Sequence, residues 1–189
     1  MITLAFDTSL DKMYAVLKKD GEILASRIIE NHDNKYHSAF LISTLKEIMT
    51  ENNIKPENID LIVVNIGPGS FTGIRACVTV ARVMAQQLNC KAVGVSSLEV
   101  LYRAYGKDCI VALDARKNCA YLYKDGEIKG AVNLEEIKGY KDNIILTDDK
   151  LLPILGGESY QQLDLPLGEV LAGLGEEKAK KDCNWRLLK

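Results

Sequence analysis

The sequence predicts an α/β protein built from a duplicated unit, with a complete N-terminal lobe over residues 1–105 and a reduced C-terminal lobe over 106–189. Three observations carry that prediction. A nearly unbroken apolar run from Ile59 to Ile66 reads as a strand covered on both faces. Gly67-Pro68-Gly69-Ser70 then turns it straight into a helical pattern that reaches Leu88. Lys19-Asp20-Gly21-Glu22-Ile23 returns as Lys124-Asp125-Gly126-Glu127-Ile128, each time between two strand-like runs.

Residues 2 to 7 form a short apolar strand ending in Asp7-Thr8-Ser9, and Met13 to Leu17 reads as a second strand. Asp20-Gly21 is a two-residue turn into a third, Ile23 to Glu30, so these runs pair as a hairpin. Asn31 to Tyr36 is a polar loop. From His37 the apolar positions Leu41, Ile42, Leu45, Ile48 and Met49 recur at helical spacing, until Asn52-Asn53 before Pro56 ends the pattern. After the central strand, loop and helix come a strand at Lys91 to Val95 and a helical stretch from Ser97 to Tyr105. Beyond Gly106 the order starts again, with Cys109 to Asp114 ending in an acid as the first strand does, then Cys119 to Tyr123, then a third run past Asp125-Gly126. The second copy is truncated: Asn143 to Thr147 gives a further strand, Leu167 to Lys181 one helix, and Cys183 to Lys189 a short tail.

With 189 residues, 47% of them hydrophobic, the chain can bury a proper core. Its 24 basic and 26 acidic residues nearly cancel, so it lacks the positive field that autonomous nucleic-acid binding needs. The five cysteines, Cys77, Cys90, Cys109, Cys119 and Cys183, are odd in number, scattered and without a Cys-x-x-Cys pair. They read as reduced thiols rather than a disulfide framework or a zinc site. The apolar start is stopped at once by Asp7, and no later run approaches membrane length, so a cytoplasmic protein without membrane contact is expected.

In the central loop, Gly67 and Gly69 permit a sharp turn around Pro68, and Ser70 or Thr72 can cap the first amides of the helix. Such a helix start can also hold an anion. The phosphate-loop pattern fails for want of its Gly-Lys-Ser/Thr ending, and the dinucleotide pattern because Thr72 stands where its third glycine belongs. A capped turn with a packing role is the favoured reading, and a weak anion or ligand site at Gly67, Gly69, Ser70 and Thr72 stays open.

The helix after this loop carries more apolar surface than one sheet requires. Ile74, Cys77, Val78, Ala81, Ala85 and Leu88 make one stripe. Ala76, Val80, Val83 and Met84 extend it around the side, leaving Arg75, Thr79, Arg82 and Gln86 as a polar strip with Gln87 isolated. Exposing Val80, Val83 and Met84 together would forfeit roughly 5 kcal/mol, so a second covering element is expected. Phe40, off the stripe of the preceding helix, points the same way. The expected interface comprises Phe40, Ala76, Val80, Val83, Met84 and Gln87, with Gly73 and Ala76 small enough to let a partner helix approach.

Gly67-Pro68-Gly69-Ser70-Phe71-Thr72-Gly73-Ile74-Arg75 before a small-residue helix, Phe6-Asp7-Thr8-Ser9, and Gly94-Val95-Ser96-Ser97-Leu98 together resemble the bacterial TsaB/YeaZ family. The resemblance covers the first 105 residues well and the remainder loosely, through Ala112-Leu113-Asp114-Ala115-Arg116. It implies an actin-like (ribonuclease H-like) duplicated fold, shared with hsp70 and the sugar kinases. It also implies an accessory subunit, not catalytic alone, that pairs with a catalytic paralogue in threonylcarbamoyl transfer to the tRNA adenosine next to the anticodon. An ATPase subunit would dock on the pair, the free chain would be a homodimer, and tRNA would be reached only through the complex. No cofactor is implied.

The catalytic relative carries a His-x-x-x-His metal pair on the segment after the fifth strand, where this chain has Ser97 and Leu101. Its only histidines, His32 and His37, are five apart and share no helix face, so neither a metal nor a serine or cysteine nucleophile finds its partners. That disfavours a glycoprotease. In the wider superfamily an acid at the end of the first strand helps hold a metal-nucleotide, and Asp7 and Asp114 are the matching positions. The simpler reading, which is favoured, is that each starts a turn and accepts nearby amide bonds. The alternative function is a small nucleotide-dependent kinase or ATPase using Asp7, the Gly67–Thr72 loop and Asp114.

Overall fold

The computed structural model of the chain describes residues 1–30, 37–140 and 143–181, apart from the side chains at 37 and 38. The polar loop at 31–36 with His32, the His37 side chain and the tail from Cys183 lie outside the described residues. In chain order the elements are β1 (Ile2–Asp7), β2 (Met13–Lys19), β3 (Glu22–Ile29), α1 (Leu41–Glu51), β4 (Leu61–Asn65), α2 (Phe71–Leu88), β5 (Lys91–Val95) and α3 (Ser97–Tyr105). There follow β6 (Ile110–Arg116), β7 (Cys119–Lys124), β8 (Glu127–Asn133), α4 (Leu134–Lys138), β9 (Ile145–Thr147), α5 (Leu152–Leu155), β10 (Glu158–Ser159) and α6 (Leu167–Lys181).

The first sheet has the order β3-β2-β1-β4-β5, with β1, β4 and β5 parallel and β2 and β3 joined to β1 as an antiparallel meander. All five residues of β4 are buried, as its apolar run requires. Leu4, Phe6, Ile62 and Val64 turn to one face and pack with Leu41, Leu45 and Ile48 of α1 and Cys77, Ala81 and Ala85 of α2. Alternation sends Thr3, Ala5 and Val63 to the other face, and α6 covers it. That helix lies close because of two glycines seven residues apart. A methyl group on Gly175 would stand 2.3 Å from both Val63 methyls, and one on Gly168 would stand 2.8 Å from Val16 Cγ2. Two polar ties fix its register: Lys18 Nζ donates to Glu176 Oε2 at 2.8 Å, and Ser26 Oγ donates to Glu169 Oε1 at 2.5 Å.

The second sheet has the order β10-β9-β6-β7-β8. Ile110, Ala112, Ala120 and Leu122 pack with Leu134 and Ile137 of α4 and with Leu151, and α3 packs on β6 and β7. This half is reduced in its helices and last strands: α4 has 5 residues and α5 has 4, against 11 and 18 in α1 and α2. The sequence reading missed α4, α5 and β10, which are too short to show a period.

The compact units divide differently from the boundary at 105/106. One comprises Met1–Ser96 with the stretch from Leu167, and the other Ser97–Pro166. The reason is that α3 packs on the second sheet, whereas the glycine seam of α6 is shaped to the first.

The duplication is explicit in the hairpins. Asp20 and Gly21 have φ of 53° and 91°, Asp125 and Gly126 of 55° and 79°, so both turns are of the tight type in which φ is positive at both central residues. Both hairpins also carry a bulge at the same place, after Leu17 in one and after Leu122 in the other. That common register corrects the matching of Asp7 with Asp114. Asp114 pairs with Ala120 as Phe6 pairs with Ala15, so Asp114 stands one position earlier and on the opposite sheet face from Asp7.

Candidate functional site

The parallel strands of the first sheet end in Asp7, Asn65 and, just past β5, Ser96, all buried. In open α/β sheets this carboxyl edge is where ligands bind. Here the chain's own polar groups bond to one another. Asp7 Oδ1 accepts from the backbone N–H and the hydroxyl of Ser9, both at 2.6 Å, and Asp7 Oδ2 accepts from the Asn65 side-chain amide at 2.8 Å. Asn65 Oδ1 accepts the Gly67 N–H at 2.8 Å, and the Ser96 hydroxyl donates to the Gly67 carbonyl at 3.1 Å. Burial pushes the Asp7 carboxyl above its ordinary value, and the hydrogen bonds from Ser9 and Asn65 offset only part of that.

The glycine motif fits this network by close backbone approach. Gly67 takes φ of 91°. A methyl group on Gly69 would stand 2.4 Å from the Ser9 carbonyl oxygen, to which Ser70 donates its N–H at 2.7 Å. Ser70 caps α2 by accepting the Gly73 N–H at 3.3 Å. Gly73, expected beside a partner helix, instead lies against Thr8, whose hydroxyl donates to the Gly73 carbonyl at 2.9 Å. The structure thus brings Asp7, Gly67, Gly69 and Ser70 together, with Thr72 exposed on the first turn of α2. Asp114 belongs to the other unit, where its Oδ1 accepts the Arg116 N–H at 2.7 Å and its N–H donates to Asp148 Oδ2 at 2.9 Å. Sequence reasoning missed Asn65, although a polar residue closing an apolar run is a legible signal.

Packing suppresses thiol chemistry at Cys77 and Cys109, both buried. Cys77 accepts the Thr8 N–H at 3.1 Å, and burial pushes its thiol up to about 12, while Cys109 is pushed up to about 11. Ser97 and Leu101 lie one turn apart on α3, both fully buried. Among the described residues, no group of three or more His, Cys, Asp or Glu could hold a metal ion, and no helix is long and apolar enough to cross a membrane.

The outer surface of α1 and α2 is the other candidate. On α2 Val83 is 56% exposed, Gln87 is exposed and Ala76 is half-buried. Val80, Met84 and Phe40 are half-buried and pack against the core of their own unit, which accounts intramolecularly for part of the surplus apolar surface. Ile42, assigned from the sequence to the buried stripe of α1, is 59% exposed, and Thr44 takes the inward place. Its spacing explains this: Leu41, Thr44, Leu45, Ile48 and Met49 follow the i, i+3, i+4, i+7, i+8 pattern and Ile42 does not. Phe71, overlooked in the sequence, is 71% exposed at the start of α2, with the Arg75 guanidinium carbon 5.4 Å from its ring centre. Ile42, Phe71 and Val83 are thus large apolar side chains left to solvent.

The chain matches the TsaD family model, tRNA N6-adenosine threonylcarbamoyltransferase, over residues 22–152. It is 32% identical over 140 residues to the tRNA threonylcarbamoyladenosine biosynthesis protein TsaB of Bacillus subtilis, covering 70% of this chain and 60% of that protein. It is 26% identical to the protein of the same name from Buchnera aphidicola subsp. Acyrthosiphon pisum, covering 71% and 62%. The matches therefore span less than two thirds of these relatives' length. In structure it is similar to YeaZ from Pseudomonas aeruginosa, with a TM-score of 0.75 at 22% identity over 95% of this chain and 92% of that one, which shows the shared fold. The chain belongs to the family that the TsaD model describes, and within it to the TsaB/YeaZ branch.

Proposed function

We propose that this protein is an accessory subunit of tRNA threonylcarbamoyladenosine formation in the cytoplasm, pairing with a catalytic paralogue of the same fold rather than transferring the group itself. The observation that carries the reading is the contrast between the two candidate sites. At the carboxyl edge of the first sheet, Asp7, Asn65 and Gly67 are spent on one another, whereas the α1–α2 surface leaves Ile42, Phe71 and Val83 uncovered. The relatives' names supply the pathway, and the buried Ser97 and Leu101 stand where a catalytic paralogue needs imidazoles. The proposed contact surface comprises Ala76, Val83 and Gln87 with Ile42 and Phe71 at its margins, and Val80, Met84 and Phe40 as its half-buried floor. Self-association of the free chain uses the same surface. An ATPase subunit docks on the pair, and tRNA is held by the complex.

The test is a reconstitution with the threonylcarbamoyltransferase and ATPase subunits of the same organism, assayed for modified tRNA with and without this chain. Transfer that depends on the chain supports the reading, and full transfer in its absence overturns it. The nucleotide-enzyme alternative is separated by calorimetry with ATP and magnesium. The proposed function predicts a Kd no tighter than the high micromolar range, and micromolar binding lost in Asp7→Ala favours the alternative.

A further inference from the structure

The exposed face of α2 carries charge of a single sign. From Phe71 to Leu88 the helix has Arg75 and Arg82 and no Asp or Glu, and both arginines are exposed. Seven residues apart, they lie two turns apart along one flank, on the side away from Val80 and Met84. Phe71 stands at the head of that flank under the Arg75 guanidinium. Among the described residues neither arginine has a carboxylate partner. The neighbouring α1 differs: Lys46 and Glu47 sit side by side, and Glu51 is bound to Arg27 at 2.6 Å. Charge of a single sign is therefore a feature of the α2 flank, whereas α1 carries both signs.

The geometry points to a partner surface that sets carboxylates opposite Arg75 and Arg82, beside an apolar patch that receives Val83, with Phe71 at its margin. This rests on the proposed pairing through α1 and α2 and adds the chemistry of the partner. A second copy meeting α2 with its own α2 about a twofold axis presents the same carboxylate-free helix, and its α1 adds only Glu47, since Glu51 is bound to Arg27. A heterologous partner with an acidic helix face neutralises both, and attraction between unlike charges speeds its encounter. The occupant is thus a different chain bearing carboxylates, and self-pairing is the weaker use of this face.

The experiment measures association of the full-length chain with the catalytic paralogue at low and high salt, for wild type, Arg82→Glu, Arg82→Lys and Val83→Glu, each first shown to be folded. Arg82→Glu is expected to weaken pairing at least about tenfold at low salt and to flatten its salt dependence, while Arg82→Lys stays within about threefold of wild type. Self-association of the free chain is expected to be unchanged or stronger in Arg82→Glu. If Val83→Glu abolishes pairing but Arg82→Glu binds with the affinity and salt dependence of wild type, the partner is not acidic there and the inference fails while the functional reading stands. If Val83→Glu pairs normally too, the face is not the partner surface and both fail.

Discussion

Gly73 lies against the Thr8 backbone and is tied to the Thr8 side chain. The Thr8 hydroxyl donates to the Gly73 carbonyl at 2.9 Å, and a methyl group on Gly73 would stand 1.9 Å from the Thr8 carbonyl oxygen. The last glycine of the loop-helix motif is therefore a point of contact between the end of β1 and the first turn of α2. It needs neither a ligand nor a partner to explain it.

Gly73→Ala should destabilise the protein. The obstacle is backbone, so either the β1–β2 loop or α2 must move, at a cost of about 1–3 kcal/mol. For a chain of this size each lost kcal/mol lowers Tm by roughly 2–4 °C. Thermal unfolding of the variant at unchanged Tm would show that the contact is not tight.

Asp7 gives the protein a pH dependence of definite sign. Its folded-state value lies above the ordinary 3.8 because burial outweighs the bonds from Ser9 and Asn65. The stability tied to its proton is complete below 3.8 and is lost as pH rises through the folded-state value. Asp7→Asn cannot titrate, so wild type should lose ground to the variant as pH rises from about 4. Urea unfolding of both proteins across that range reads it directly, and a gap that moves in favour of wild type would mean that hydrogen bonding, not burial, dominates.

Lys18 and Glu176 tie α6 to the first sheet through side chains 11% and 12% exposed. Removing one partner strands the other. Lys18→Met should cost about 3–5 kcal/mol, whereas Lys18→Met with Glu176→Leu should recover most of the loss. A double-mutant cycle in urea tests this, and additive losses would contradict a direct coupling.

The fold was largely legible because its signals are long and local: the β4 run, the α2 stripe and the repeated Asp-Gly hairpin all appear where the sequence places them. Three features escaped for physical reasons. The assignment of α6 to the first sheet depends on Gly168 and Gly175 meeting Val16 and Val63, and a glycine in a helix reads as a cost until the surface it approaches is known. Asp114 looked like the counterpart of Asp7 because both close a strand, yet cross-strand register sets it one residue early. Ile42 left the buried stripe because one position moves a side chain by 100° around a helix, and Thr44 rather than Ile42 continues the spacing of Leu41, Leu45 and Ile48. Of the candidate site, the glycine loop was visible, but the close approach of Gly69 to Ser9 and of Gly73 to Thr8 was not, because it depends on where β1 ends.

The most direct test of the central claim is the reconstituted threonylcarbamoyl transfer to tRNA with Val83→Glu in place of wild type. Val83 is more than half exposed, so the variant should remain folded with wild-type circular dichroism. It should lose stable association with the catalytic paralogue, and tRNA modification should fall toward the level seen without this subunit. A folded Val83→Glu protein that still binds the paralogue and supports modification at the wild-type rate would contradict the account.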